Sequence, residues 1–263
     1  MIGLFFGDTD FPERILDSLK KLKKNYFIID LSQKRKFRNN KNSHFISIGQ
    51  FGKIISLIKE KKCEKVLFAG KINKPKLSNL KLDFKGLYYI PRILKASKIG
   101  DAAIFKEIIK ILSKEKIKVI SSIRFNPELT LLKGTHSKLK PNKSDQRSIK
   151  KGIQSLNQLN AHNHTQGIVV RGLSVIGRES SKGTKRMIQL IKKSKNSQGI
   201  LIKLPKKKQD LRVDLPTIGL DTLKDCKKVG IKGVVLKSKQ NIFIDKSKSI
   251  IFANKNKIFI KVI

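Results

Sequence analysis

Acid is scarce in this chain. Its 263 residues carry 60 Lys and Arg against 19 Asp and Glu, a formal charge of +41. Tryptophan is absent and aromatics make up 6%. No aromatic RNA-binding motif is present, and the basic residues are spread through every segment rather than gathered in one arm. Nucleic acid is therefore not the expected partner, despite the charge. Cysteine occurs twice, at Cys63 and Cys226, far apart and suited to a reducing cytoplasm. The longest apolar runs, such as Val66-Leu67-Phe68-Ala69-Gly70 and Gly199-Ile200-Leu201-Ile202, have the length of strands. None approaches the ~18 apolar residues of a membrane span. The first residues, Met1-Ile2-Gly3-Leu4-Phe5-Phe6-Gly7-Asp8, lack a basic n-region and a small-residue cleavage site, so no signal peptide is expected.

What is present is enough for a core: 39% hydrophobic residues and 14 Phe, which is not the recipe for disorder. Of the 60 basic residues, 50 are Lys. With abundant Ile and Asn, this composition fits an A+T-rich coding bias. It fits equally an electrostatic role toward anionic lipid headgroups or nucleic acid.

The first half alternates strand-like and helix-like runs. Residues 2–6, 26–31, 45–48, 65–69 and 118–120 read as strands. Helices are expected from Phe11, with Asp10 as cap and Pro12 in the first turn, and over 50–61 and 101–115, where apolar residues recur at helical spacing. This alternation predicts an α/β fold with an open, mostly parallel sheet. The hydrophobic pattern stops over 133–147, which reads as a linker or long loop. The expected division is an N-terminal Rossmann-like domain over 1–132 and a C-terminal mixed α/β domain over 133–263. In the latter, helices are expected over 145–159, 184–193 and 220–229. Strands are expected over 168–170, 173–176, 200–204, 233–236, 242–244 and 257–262.

Several places could carry chemistry. Gly7-Asp8-Thr9-Asp10 lies where the first strand turns into the first helix, the position that faces the ligand crevice in such sheets. The dinucleotide fingerprint of three spaced glycines is missing there, so a plain helix cap is the competing reading. Phe68-Ala69-Gly70-Lys71 closes another strand; Gly70 permits close backbone approach and Lys71 could meet phosphate, or the segment is only a turn. Asp101 follows Gly100 and is either a helix cap or a metal ligand. His44, His136, His162 and His164 have no metal-motif spacing; His162 and His164 bracket one Asn in what reads as a solvated turn. The strongest constellation is Gln209-Asp210-Leu211-Arg212-Val213-Asp214 with Pro216, Gly219 and the earlier Lys203. Between Glu128 and Asp210 only Asp145 and Glu179 are acidic; then Asp210, Asp214, Asp221 and Asp225 arrive together. On an extended segment Asp210, Arg212 and Asp214 would share one side. They would form either a self-satisfied ion-pair cluster or a site where carboxylates hold Mg²⁺ and the guanidinium takes a phosphate oxygen.

Gln209 to Gly219 resembles the signature of LpxI-type UDP-2,3-diacylglucosamine pyrophosphatases. Further segments agree in order: Ile48-Gly49-Gln50-Phe51-Gly52-Lys53, Phe68-Ala69-Gly70 through Pro75, Gly100-Asp101, Gly167 to Gly172 and Gly230 to Gly233. The resemblance implies substrate bound between the two domains and Mg²⁺-dependent hydrolysis of UDP-2,3-diacylglucosamine. The products would be UMP and 2,3-diacylglucosamine 1-phosphate (lipid X), in a cytoplasmic step of lipid A synthesis at the anionic inner-membrane surface. It also implies a homodimer. Carried over by position, Asp214, Arg212 and Lys203 are the catalytic candidates. Gly7, Asp8, Gly70, Lys71, Gln209 and Thr217 are the substrate-binding candidates, and Asp214, Asp210, Glu179 and Asp101 the metal candidates.

The chain departs from the family pattern in three places. The first turn has lost glycines, Ala102 stands where a second acid is usual, and a Glu-Gly-Thr-Asp segment reads Lys182-Gly183-Thr184-Lys185. The lysines allow an alternative: a non-catalytic nucleotide-sugar or lipid-binding relative with an altered metal site.

Overall fold

The computed structural model describes residues 1–72, 78, 80–162, 165–194, 198–206 and 209–263, without the side chains of 160–162. Residues 73–75 of the segment that follows Gly70, and the turn bracketed by His162 and His164, fall outside that description.

Strand β1 (Ile2–Phe6) is buried at all five positions. It pairs in parallel with β2 (Tyr26–Asp30) on one side and β4 (Lys65–Ala69) on the other. The edges are β3 (Ser43–Phe45) and β5 (Lys118–Val119), giving the order β3-β2-β1-β4-β5. A parallel sheet covered on both faces needs apolar side chains pointing both ways, which is why these strands read as continuous hydrophobic runs. The cover comes from α1 (Phe11–Lys21), α2 (Phe51–Glu60) and α4 (Asp101–Lys114), with α3 (Phe84–Ile99) packed on α2 and α4. Phe5, Phe27, Ile54, Ile58, Phe68 and Leu112 form one core cluster, with the Phe5 and Phe68 rings stacked at 4.6 Å. Each such side chain contributes about 1.5–3 kcal/mol when fully buried. The sheet order reverses between β1 and β4, so their C-terminal ends mark the topological switch point, where ligands bind in folds of this type.

Helix α3 is a difference from the sequence reading, which placed no helix at 84–99. Asp83 starts it, accepting hydrogen bonds from the N–H of Gly86 (2.8 Å) and of Lys53 in the first turn of α2 (2.9 Å). One carboxylate thereby serves two helix N-termini. Burial alone would raise its pKa, but the backbone donors of Lys53, Gly86 and Gly52 hold it below the ordinary carboxylate range. Pro91 inside the helix and apolar residues on its outward face hide its periodicity.

The second unit is built on a mixed sheet ordered β6-β13-β11-β9-β7-β8. Its strands are β6 (Gly134–Thr135), β7 (Gly167–Arg171), β8 (Ser174–Arg178), β9 (Gly199–Lys203), β11 (Ile231–Leu236) and β13 (Phe259–Val262). Strands β9, β11 and β13 run parallel, while β7 runs antiparallel to β9 and to β8. The helices are α5 (Lys143–His162), α6 (Gly183–Gln189), α7 (Leu220–Lys228) and α8 (Lys246–Lys255). A short parallel pair, β10 (Thr217–Ile218) with β12 (Ile242–Phe243), completes it. Val169, Leu201, Leu223, Val234, Phe243 and Ile260 belong to its main core cluster.

The linker expected over 133–147 is corrected. Gly134 and Thr135 pair with β13, the Ser137 hydroxyl accepts from the Ile260 N–H (2.8 Å), and α5 already begins at Lys143. Polar residues there are tied down by backbone pairing, which leaves no hydrophobic signal. The basic helix expected over 184–193 is shorter, and α8 gave no helical signal.

The chain divides into two compact units, Met1–Asn126 with Asp210–Asp214, and Pro127–Gln209 with Leu215–Ile263. The five residues of the acidic turn thus belong with the first unit, although they lie far along the chain. The Arg212 carbonyl accepts from the Ser122 N–H (3.3 Å), and Val213 packs against the Phe5–Phe68 cluster.

Candidate functional site

At the switch point the loops after β1 and β4 hold each other. Asp8 and Lys71 exchange backbone hydrogen bonds of 2.8 and 2.9 Å. A Cβ on Gly7 would lie 2.3 Å from the Lys71 carbonyl oxygen, and one on Gly70 would lie 2.4 Å from the Asp8 carbonyl oxygen. Gly70 also adopts φ +86°. Both glycines are required by this loop-to-loop bridge. The close backbone approach inferred at Gly70 is an approach to Asp8. The structure brings Gly7, Asp8, Gly70 and Lys71 together, which the sequence reading had considered as two separate segments.

The neighbouring loop is built from side chains the sequence reading did not use. Asp30, at the end of β2, is 1% exposed. Its oxygens accept from the Ser32 N–H (2.9 Å), the Ser32 hydroxyl (2.6 Å) and the Phe37 N–H (3.1 Å). Dinucleotide-binding Rossmann folds use an acid in this region for a ribose hydroxyl; here the carboxylate closes its own loop. Lys36 reaches Thr9 O (3.0 Å), Asp10 (3.2 Å) and Glu13 (3.0 Å), and the bond to Glu13 leads in raising its pKa. Asp10 stands at the N-cap position of α1, as expected, but its side chain makes no capping bond. Asp101 is corrected from a helix cap: Gly100 occupies the cap position of α4 and Asp101 is an exposed residue of its first turn.

The geometry expected of residues 210–214 is also corrected. They form a tight turn rather than an extended segment, with the Val213 and Asp214 N–H groups both donating to the Asp210 carbonyl (3.1 and 3.0 Å). The turn lets Arg212 fold back on Asp210: Nε lies 2.9 Å from Oδ1 and Nη2 2.6 Å from Oδ2, a bidentate pair. The guanidinium is the main cause holding the Asp210 carboxyl below the ordinary range, and the carboxylate in turn raises the Arg212 pKa. Asp214 ends the turn half-buried.

In the second unit Lys203, 4% exposed at the end of β9, places its ammonium 3.0 Å from Glu179 Oε1 and bonds the Thr184 hydroxyl. Thr184 donates to the same Glu179 oxygen at 2.6 Å. Two candidates the sequence reading listed separately, Lys203 as catalytic and Glu179 as metal-linked, are therefore bonded to each other. Thr184, which joins them, was not singled out for chemistry; its only signal was its place between Lys182 and Lys185. Asn241 was missed without any signal: its side-chain amide donates to the Lys203 carbonyl (3.1 Å) and fixes the strand end. Lys182 and Lys185 are exposed. Gln209 accepts from the Lys206 N–H through Oε1 (2.8 Å), while its Nε2 is buried with no hydrogen-bond partner among the described residues. Thr217 is exposed and donates to the Leu215 carbonyl (3.2 Å).

Among the described residues no three Asp, Glu, His or Cys side chains come together in a group able to hold a metal ion. Asp210 is taken by Arg212 and Glu179 by Lys203 and Thr184. The carboxylates supply the hard oxygen chemistry that Mg²⁺ prefers, but not a preassembled cage. Both cysteines are buried and free, and burial is the main cause pushing each thiol pKa up. Among the described residues no helix is long and apolar enough to cross a membrane.

Comparison with known proteins agrees with this two-unit architecture. The UDP-2,3-diacylglucosamine pyrophosphatase LpxI of Caulobacter vibrioides is 28% identical over 223 residues, covering 82% of this chain and 80% of that protein. Residues 1–129 match the LpxI N-terminal domain and residues 132–261 the LpxI C-terminal domain, so the chain belongs to the LpxI family.

Proposed function

We propose that this protein hydrolyses the pyrophosphate bond of UDP-2,3-diacylglucosamine, releasing UMP and 2,3-diacylglucosamine 1-phosphate for lipid A synthesis. The observation that carries the reading is the Gln209–Asp214 segment. It combines a clamped guanidinium, a half-buried carboxylate and a buried amide donor with no partner among the described residues, within six residues of a chain that belongs to this family.

In this reading Asp210 holds Arg212 in one orientation, and the remaining guanidinium N–H groups bind a phosphate oxygen. Gln209 Nε2 donates to a substrate oxygen, an acceptor that its burial otherwise denies it. Asp214 orients the attacking water and accepts its proton. The water oxygen joins one phosphorus as the bridging P–O bond breaks, and the bridging oxygen leaves on the other phosphate. Gly7, Asp8, Gly70, Lys71 and Thr217 contribute to substrate binding, and the Lys203–Glu179–Thr184 cluster keeps its strand end in place. Mg²⁺ is the proposed metal, with Asp214, Asp210 and Asp101 as the candidate carboxylates, Glu179 being held by Lys203 and Thr184; it would neutralise the pyrophosphate. The described side chains form no ready-made site for it. The setting we propose is cytoplasmic, peripheral to the anionic inner-membrane surface and homodimeric.

A second reading follows from Lys182 and Lys185, which stand where acids are usual: a relative that binds the substrate without cleaving it. Incubation of the purified protein with UDP-2,3-diacylglucosamine, with and without Mg²⁺, separates the two. UMP release that depends on Mg²⁺ and is lost in Asp214→Asn supports the enzyme. Substrate binding without UMP at any Mg²⁺ concentration supports the binding relative. UMP release that survives in Asp214→Asn removes the proposed mechanism.

A further inference from the structure

Among the described residues the outward face of α3 has no partner. Phe84, Leu87 and Tyr88 are 90%, 60% and 65% exposed, with Leu82 exposed beside them and Pro91 one turn further on. Elsewhere exposed large apolar side chains are scattered singly, which is ordinary for a protein surface. Here they fall at the i, i+3, i+4 and i+7 positions of one helix and share a face.

The opposite face is anchored. Tyr89 and Ile90 are buried with Phe51, Ile55 and Ile111, and the Tyr88 ring rests edge-on against Tyr89 at 5.0 Å. Asp83 ties the start of the helix to α2. The exposed side chains therefore sit on a fixed helix, not on a loose loop.

The helix's own charges have one sign. Residues 84–99 contain Lys85, Arg92, Lys95 and Lys98 and no acid. Lys85 and Arg92 are paired with Glu115 (2.6 Å) and Glu107 (2.5 Å) in this unit, whereas Lys95 and Lys98 are exposed, as is Lys81 just before the helix. An apolar strip with an aromatic side chain and a lysine rim is the pattern of a helix lying in the interface of an anionic bilayer. A second copy of this chain fits the face poorly. It would bring another +41 charge and another lysine-rimmed, acid-free helix against the first.

We propose that the first two turns of α3 form a membrane-docking surface, inserting Phe84, Leu87 and Tyr88 among lipid acyl chains while Lys81, Lys95 and Lys98 contact anionic headgroups. This deepens the peripheral setting proposed above and rests on it only in the choice of a bilayer. A diacylated substrate would then be met where it resides.

The test is co-sedimentation of the full chain with vesicles of phosphatidylethanolamine and phosphatidylglycerol, and with vesicles of phosphatidylcholine alone. The expected result is binding to the anionic vesicles, reduced at least about tenfold in Phe84→Ser/Leu87→Ser. Lys95→Gln/Lys98→Gln should reduce it several-fold, as should phosphatidylcholine in place of the anionic mixture. Both variants should keep the wild-type melting temperature, because every altered side chain is exposed. Equal binding by the Ser variant at an unchanged melting temperature overturns the proposal, as does a wild-type chain that ignores anionic vesicles. A Ser variant that turns an oligomer into a monomer in sedimentation velocity, with vesicle binding unchanged, assigns the face to a second copy instead. Vesicle binding is read without turnover, so absence of UMP release would bear on the proposed reaction and leave this result standing.

Discussion

Two of the ion pairs, one in each unit, are made in opposite ways. Arg212 and Asp210 are two residues apart, joined by a turn, and remain 45% and 29% exposed at the side chain. Lys203 and Glu179 are 24 residues apart, brought together by strand pairing, and are 5% and 7% exposed. The first pair stays in water's reach, where Coulomb attraction is screened and the net gain is small. The second has lost its hydration and depends on the Thr184 hydroxyl and the opposing charge to replace it. A solvent-facing pair suits a guanidinium that keeps its carboxylate while its remaining N–H groups reach a phosphate. A dry pair suits a group that must not move.

Lys203→Met should cost about 3–5 kcal/mol in urea unfolding, because it leaves the Glu179 carboxylate buried without a counter-charge. The double variant Lys203→Met/Glu179→Leu should recover much of that loss. If Lys203→Met instead unfolds at the wild-type urea concentration, the dry pair is no more structural than the wet one.

Next in size, Asp214→Asn should lower UMP release by about 10²–10⁴-fold while leaving the unfolding midpoint near wild type. A matching loss of stability would make the turn a structural element.

Asp83→Ala should cost about 1–2 kcal/mol, since two helix starts lose their acceptor at once. The sign with pH follows from the lowered Asp83 pKa. The bonds contribute fully above the ordinary carboxylate range and are lost as pH falls through the depressed value. The wild-type advantage over Asp83→Ala should therefore shrink only in acid.

The smallest effect is expected at the exposed pair. Arg212→Ala should change stability by less than about 1 kcal/mol. It should also let the Asp210 carboxyl titrate at higher pH, toward the ordinary value, as read by carbon-13 NMR of the side chain. A larger stability loss would show that this pair too is part of the fold's support.

Much of the architecture was legible because it depends on local pattern. The runs at 2–6, 26–31 and 65–69 are apolar but for Asp30 and Lys65 at their ends, as strands covered on both faces must be, and they form the parallel sheet. The helices at 50–61 and 101–115 bury one stripe each and were read within a residue of their ends. Helix α3 was not legible, because its outward apolar residues erase the contrast between faces and Pro91 argues against a helix. Strand β6 was not legible, since two residues paired through their backbone to β13 leave no side-chain pattern. In the candidate site, Asp210, Arg212 and Asp214 stood out by the scarcity of acid around them. Their turn did not, since an i, i+2, i+4 spacing suits an extended segment as well as a coiled one.

What the sequence determined by itself is the α/β class, the succession of strands and helices in the first unit, the family and the acid-poor setting in which Asp210 and Asp214 stand. These rest on hydrophobic period, composition and collinear motifs, which are properties of neighbours along the chain. The tertiary structure alone decided that Lys203 meets Glu179 and Thr184, that the loops after β1 and β4 bridge through Asp8 and Lys71, and that residues 210–214 pack on the first unit. Each of these contacts joins residues far apart in sequence. Their pairing is set by sheet register and by the burial of Phe5, Phe68 and Val213 in one cluster, and no local spacing encodes it.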